Sequence, residues 1–412
     1  MTVLQNVSHR EASIGSATPS TLPIALIAWA AVGVALNVGL ARFTYGVMLP
    51  SLRRDLGLDY VTSGSLNALH LGGYLIGTLA APLLGQRTGM PKLSALAHLL
   101  VAVGAVLSAA APETATSGPV ILGLGRLATG LGAGAGIVAI LVLVFGAVSA
   151  GQRPVVSAIV WSGMGAAVVV SGLAVPFLLE TTVGWRSAFA GSAALALAIA
   201  MFFPPRGVRI DATHLDPTVA TARFAASELA TARWRFLIGS YMFFGMGYIA
   251  YATFAGARLA ATHTPTIIIG LTWTAFGVAT IAGAALTVAV LGAARIKQFA
   301  LVGAIATGGI GAVVAGVDSP ATVIGGAVLV GLGIAATPTI VSAYARERCS
   351  AEEYARAFSY ATAALGIGQL VGPVVAGVLA DTFGTAAVPM FAAIAYCIGG
   401  FFAAWDAIVA RS

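Results

Sequence analysis

Two arginines are the residues from which chemistry can start. Arg42 stands in Gly39-Leu-Ala-Arg42-Phe-Thr-Tyr45-Gly-Val-Met-Leu-Pro50, the end of an apolar run that begins near Leu22. Arg126 lies several residues inside another apolar run, which starts near Pro119. A guanidinium in such a setting costs about 2.5–3.5 kcal/mol on insertion scales, so it faces a polar cavity or a partner. Its planar fork suits bidentate pairing with a carboxylate or a phosphate. Taking Pro50 and Pro119 as outer ends puts both arginines roughly 10–12 Å deep at 1.5 Å per residue, a depth at which they can share one cavity. No Asp or Glu is expected deep in any run; Glu180 and Asp381 fall at outer ends. Two positive groups without an acid favour an anionic ligand. Each arginine also has a blander reading. Arg126 can hold helices together through backbone carbonyls or water, and Arg42 can snorkel toward the headgroups.

His70, about ten residues into its run, is the other titratable candidate, able to take a proton near neutral pH or to sit neutral between helices. His98 is expected to pack peripherally. Tyr241, Phe244, Tyr248 and Tyr251 are spaced to share one helical face. Tyr248 and Tyr251 are taken from it as binding candidates, with Tyr45 and Asn37 from the run that carries Arg42. Asn67, Tyr74, Trp161, Trp273 and Gln369 are polar or amphipathic residues for which helix packing is the first reading.

The elements that must position these groups are membrane helices. Of the 412 residues, 59% are hydrophobic and 8% charged, and the mean hydropathy is +0.96. Soluble domains carry about 25% charged residues. Twelve apolar runs are long enough to cross a bilayer: 22–50, 61–85, 93–111, 119–148, 154–180, 186–204, 234–260, 266–293, 298–317, 321–345, 355–380 and 385–408. The expected fold is therefore an all-α polytopic membrane protein, its twelve transmembrane helices in two pseudo-symmetric six-helix bundles. Residues 1–21 read as a disordered cytoplasmic tail, 22–204 as the first bundle, 205–233 as a cytoplasmic central loop and 234–412 as the second bundle. Lys and Arg fix the orientation. Of the 21, fifteen fall on the side of the termini, four (Arg53, Arg54, Arg186, Arg258) on the other, and two within the membrane. Both termini are thus expected in the cytoplasm. The net charge of +7 comes from this bias and does not call for nucleic acid. The halves echo each other: Leu178-Leu-Glu180-Thr-Thr-Val-Gly184 matches Val378-Leu-Ala-Asp381-Thr-Phe-Gly384, and Gly130-Leu-Gly132 matches Gly331-Leu-Gly333.

Twelve runs, a long central loop and paired halves resemble the major facilitator superfamily. Leu83-Leu-Gly85-Gln86-Arg87-Thr-Gly89-Met-Pro-Lys92 is similar to its loop between the second and third helices, with Gln86 in place of the usual acid. Gly125-Arg126-Leu-Ala-Thr-Gly130-Leu-Gly-Ala-Gly is similar to its fourth-helix arginine motif. Gly184-Trp185-Arg186-Ser-Ala-Phe189 is similar to its segment entering the sixth helix. Arg42-Phe43-Thr-Tyr45 with Leu49-Pro50, followed by Gly72-Gly73-Tyr74-Leu-Ile-Gly77, resembles the bacterial YbfB/YjiJ-type branch. The resemblance implies a secondary transporter whose first, fourth, seventh and tenth helices line a central path, with both arginines beside it.

The expectation is an alternating-access carrier, not an enzyme, for a small or medium organic anion of carboxylate type, with proton symport through His70. Efflux of drugs or metabolites by proton antiport is the alternative. A receptor or an intramembrane enzyme is the reading from another class. Against an enzyme stand the missing HExxH and GxSxG motifs and the missing intramembrane carboxylate pair. Gly130-Leu-Gly-Ala-Gly-Ala-Gly lies in an apolar run with no following Lys-Ser/Thr, so it is no phosphate loop. Cys349 and Cys397 have no metal-ligand or CxxC spacing; neither cofactor nor metal is expected. The expected partners are the solute and the lipid bilayer, the expected location a bacterial inner membrane, and the expected working unit a monomer.

Overall fold

A computed structural model describes residues 23–149, 152–202, 234–293, 297–317, 319–348 and 351–409. The expected tail and central loop lie outside these. Among the described residues twelve helices run in order: α1 Ile24–Leu56, α2 Tyr60–Thr88, α3 Met90–Ala109, α4 Ser117–Gly146, α5 Arg153–Leu179, α6 Trp185–Met201, α7 Arg235–Ala261, α8 Thr266–Ala293, α9 Lys297–Ala315, α10 Pro320–Arg348, α11 Ala351–Phe383 and α12 Ala387–Val409. Ten are long and apolar enough to cross a membrane; the apolar helices in α6 and α9 are shorter. Large apolar side chains such as Leu79, Val103, Phe177 and Ile310 stay exposed on the outside, where lipid would solvate them. The described chain starts and ends on one face, the terminal face. Pro50, Asp59 and Asp381 lie toward the other, the far face.

The helices form two six-helix bundles with matching packing. In the first, α4 packs on α2 and α3, and α3 on α6; in the second, α10 packs on α8 and α9, and α9 on α12. The halves meet chiefly where α2 lies against α11, α5 against α8 and α1 against α7. The first two pairings exchange under the repeat. The repeated sequence segments also end alike: Gly184 (φ 57°) and Gly384 (φ 83°) both turn the chain through the left-handed region, where a side chain would be strained.

Close approach is the packing device, as expected where lipid and side chains are equally apolar. Gly73 and Gly77 on α2 face Gly130 and Gly134 on α4. A Cβ on Gly134 would stand 2.0 Å from the Tyr74 carbonyl oxygen, and one on Gly77 2.1 Å from that of Leu131. The same device joins the halves: a Cβ on Gly172 would stand 2.5 Å from the Gly270 carbonyl oxygen, and one on Gly64 2.1 Å from that of Pro373.

Two expectations about the helices change. Pro50 does not end the first helix, which runs on to Leu56 and stops at the left-handed Gly57. Proline is tolerated inside membrane helices because neighbours satisfy the freed carbonyl. Arg42 is therefore 14 residues from that helix end, roughly 21 Å rather than 12. An acid also lies inside a span: Asp406 in α12 is buried and accepts a hydrogen bond from the Tyr344 hydroxyl at 2.6 Å.

Candidate functional site

The first helix is not uniform. Residues Ala35–Leu40 form a π-helical turn immediately before Arg42. Such turns add a residue to the ladder, concentrate at functional sites, and rotate the rest of the helix by about 100° relative to an unbroken one. Gly39 lets this segment touch α5, since a Cβ there would meet that of Ala167 at 2.3 Å. Asn37, within the turn, faces away from the junction of the halves. Its amide is 3.1 Å from His98 Nε2, while His98 Nδ1 donates to the Ser94 carbonyl at 2.7 Å. The carbonyl contact fixes the His98 proton on Nδ1 and leaves Nε2 to accept from Asn37. His98 is wholly buried, not peripheral.

Arg42 points across the junction. One Nη donates to the Tyr248 hydroxyl on α7, and its guanidinium carbon lies 5.6 Å from the Phe43 and Tyr248 ring centroids. Its Nε is buried without a hydrogen-bond partner. The Tyr248 oxygen also accepts from Gln369 Nε2 on α11 at 2.7 Å. Arg42, Tyr248 and Gln369 thus form one polar triad reaching from the first half into the second. Tyr74, half-buried on α2, lies within electrostatic reach of Arg42 and Tyr248.

Arg126 is held quite differently. Nη1 donates to the Ala41 carbonyl at 2.7 Å and Nη2 to Asn67 Oδ1 at 2.7 Å. The Tyr45 ring lies against it at 4.6 Å, and the Tyr45 hydroxyl is spent on the Ser63 carbonyl at 2.8 Å. Only 1% of Arg126 is exposed. The Nε of Arg126, like that of Arg42, is buried without a hydrogen-bond partner. Arg126 is engaged by a carbonyl, an amide and a ring, as in the blander reading, and Tyr45 is its platform.

Asn67 passes the connection on. Its Nδ2 donates to Thr253 Oγ1 on α7 at 2.8 Å, and Trp273 Nε1 on α8 donates to the Phe43 carbonyl at 3.0 Å. Nearest the far face, Asp381 on α11 accepts from the backbone N–H groups of Tyr60 and Val61 at 2.9 and 2.8 Å. These are unpaired donors of the first turn of α2, so an acid of one half caps a helix of the other. Beside it, Arg53 stacks on the Tyr60 ring at 3.3 Å. These bonds between the halves all lie level with Arg42 or farther toward the far face.

His70 is completely buried on α2, its backbone against Gly130 of α4, and neither ring nitrogen has a hydrogen-bond partner. Arg126 and then Arg42 are its charged neighbours. Tyr251 is turned into the second half, its hydroxyl 3.4 Å from the Val323 carbonyl of α10. Tyr241, Phe244 and Tyr248 follow one another ring against ring, the first pair stacked at 6.0 Å and the second tilted at 5.1 Å between centroids. Trp161 is exposed. Asn67, Trp273 and Gln369, ranked low from the sequence, carry contacts at the junction. Their signal was a polar group in a buried helix, which does not distinguish packing from bridging.

Among the described residues no carboxylate meets Arg42 or Arg126; the ion pairs are Arg54–Asp55 and Arg186–Glu113, away from the centre. No cluster of His, Cys, Asp or Glu among them could hold a metal ion.

A family profile described as "Uncharacterised MFS-type transporter YbfB" matches residues 34–404. No curated protein matches the chain. Among solved structures, the nucleoside transporter NupG is similar at 14% identity and a TM-score of 0.73, over 93% of this chain and 98% of that one. A D-xylose–proton symporter is similar at 16% identity and 0.71, over 94% and 97%. A bacterial homolog of the human lysosomal transporter Spinster, inward-facing and occupied, is similar at 14% and 0.71, over 95% and 97%. At these identities the likeness is one of fold.

Proposed function

The chain belongs to the family of MFS-type transporters described as YbfB, and from that premise we propose that it carries a small organic anion by alternating access, coupled to proton movement. One observation carries the anion. Arg42 sits where the halves meet, 8% exposed, and its described hydrogen bond is to a neutral phenol. At an effective dielectric of about 20, an anion 4 Å away contributes roughly 4 kcal/mol of attraction. The Tyr248 hydroxyl cannot supply that, because it brings no charge. The site also fits the general form of ligand pockets, a few aimed polar groups against aromatic walls.

Among the described residues the bonds between halves cluster toward the far face, so this state of the protein is read as closed there and accessible from the terminal face. With the positive-inside orientation this is the inward-facing state of a carrier in a bacterial inner membrane, both termini and the central loop being cytoplasmic. Anion binding would relieve the bare charge on Arg42 as the halves rock, and a solute shifts that equilibrium only by the difference in its affinity for the two states. His70 is the proposed coupling group: an imidazole with both nitrogens unspent can accept a proton without breaking an existing bond. The protein is proposed to work as a monomer.

Uptake into proteoliposomes with an imposed pH gradient tests this reading. Organic anions should accumulate with the gradient and stop when it is collapsed. Accumulation of neutral sugars or nucleosides without any anion flux would sink it.

A further inference from the structure

Resting on the reading of the site as an anion site, we propose that the solute is a monoanion, a monocarboxylate with an apolar body, and that dicarboxylates and phosphate esters are rejected. The supply of positive charge and free N–H groups decides this. An arginine has five N–H donors in a fixed fork. On Arg126 both terminal nitrogens already meet acceptors, the Ala41 carbonyl and Asn67 Oδ1, and the Tyr45 ring lies against the guanidinium. A ligand oxygen taking the place of Asn67 would also break the Asn67–Thr253 bond between the halves. Arg126 Nε, like that of Arg42, is buried without a partner; what sets Arg126 apart is that both terminal nitrogens are engaged and only 1% of it is exposed, so it serves as a structural cation in this proposal.

Arg42 is the counterpart with capacity left. Nη2 is engaged by Tyr248, and Nε has no partner, so an edge of the fork remains for the two oxygens of one carboxylate. Around it stand Tyr248, Phe43, Gln369 and Tyr74, none of them a cation. Turning the Gln369 amide end for end would exchange a donor for an acceptor and leave the count of charges unchanged. Other described cations are committed or distant. Arg258 donates to the Ala315 and Gly316 carbonyls at the end of α9, and Arg53 stacks on Tyr60 near the far face. His70 is fully enclosed, with Arg126 and then Arg42 as its charged neighbours, and is counted here in the neutral form that it has when it carries no coupled proton. A second negative charge on the solute would therefore leave water without a counter-ion, the situation that disfavours burial of an unpaired charge most strongly. The Tyr241, Phe244 and Tyr248 rings offer the body of such a solute an aromatic wall.

The test uses pairs that share a skeleton and differ by one charge: monomethyl succinate against succinate, and benzoate against phthalate, with phenyl phosphate added, all at pH 7.5. Binding is read by thermal stabilisation of the purified full-length protein, and transport by inhibition of anion uptake in proteoliposomes. The monoanion of each pair should act at concentrations at least ~10-fold lower than its dianion. Arg42→Gln, checked for a monodisperse folded peak, should lose the preference, and Arg42→Lys should keep it with weaker binding. Dianions equal to or better than monoanions would overturn this inference while leaving the anion reading in place. Responses to benzyl alcohol, xylose or nucleosides with none to any anion would overturn both.

Discussion

Asp381 offers the sharpest handle on how the far face is held shut. Its two oxygens take the Tyr60 and Val61 N–H groups of α2 from across the interface, at 2.9 and 2.8 Å. Losing a cap of this kind costs about 0.5–2 kcal/mol, and the charge at the helix N-terminus adds about 0.3–1 kcal/mol. The carboxylate is exposed, so screening trims the sum; about 1.4 kcal/mol is a fair net figure, a factor of ten in an equilibrium constant. The whole of it belongs to the far-closed state, because the bonds exist only while α2 and α11 touch. Asp381→Ala should therefore raise a far-open population of ~1% to about 10%. Asp381→Asn, which keeps an oxygen but not the charge, should fall between. Spin labels at Thr116 and Ala386, exposed sites on the far-face loops of the two halves, would read this as growth of a longer distance in pulsed electron resonance. An unchanged distance distribution in Asp381→Ala would refute the reasoning that this cap holds the far face shut.

The same geometry sets further outcomes. Thr253→Val removes only the interhalf end of the Asn67 relay and should shift the conformational balance by about 1 kcal/mol, whereas Asn67→Leu strands a buried Arg126 nitrogen and should lower thermal stability by about 3 kcal/mol or more; equal Tm losses in the two would contradict the structural role given to Arg126. Gly134→Ala would push a Cβ to 2.0 Å from the Tyr74 carbonyl oxygen, so a Tm drop corresponding to about 1–3 kcal/mol is expected, and no drop would mean that α2 and α4 do not pack this way. Asp59 caps α2, and the Thr62 hydroxyl and backbone N–H hold its carboxyl below the ordinary 3.8. Its contribution is present above that pH and disappears as the pH falls through the depressed value, so the Tm gap between wild type and Asp59→Ala should close in acid; a gap that widened there would reverse the assignment.

The sequence made the helices legible because twenty-residue apolar runs have few alternative uses, and most helix ends fall within a few residues of those expected. Pro50 misled because in water it would break a helix, whereas a membrane helix carries it in its middle. Arg42 and Tyr248 were each legible as polar groups inside apolar runs, though nothing in the sequence made them partners. The commitment of Arg126 was not. Periodicity gives the face on which a side chain stands, but the acceptors that consume this one are a backbone carbonyl of α1 and an amide of α2, neither with a sequence signature. Asn37 was taken with Arg42 because both stand in one apolar run, yet its amide meets His98 of α3, a partner with no sequence signature. Asp406 escaped notice because an acid two residues from the end of an apolar run reads as a headgroup-level residue, yet it is buried against Tyr344.

The proposed anion transport rests on the unspent edge of the Arg42 guanidinium, and the initial rate of organic-anion uptake into proteoliposomes, as a function of anion concentration, tests it most directly. With Arg42→Gln the concentration for half-maximal uptake should rise about 100-fold or more, the loss of a charge-assisted bidentate contact, while folding and orientation in the vesicle are unchanged. A half-saturation within about twofold of wild type would contradict it.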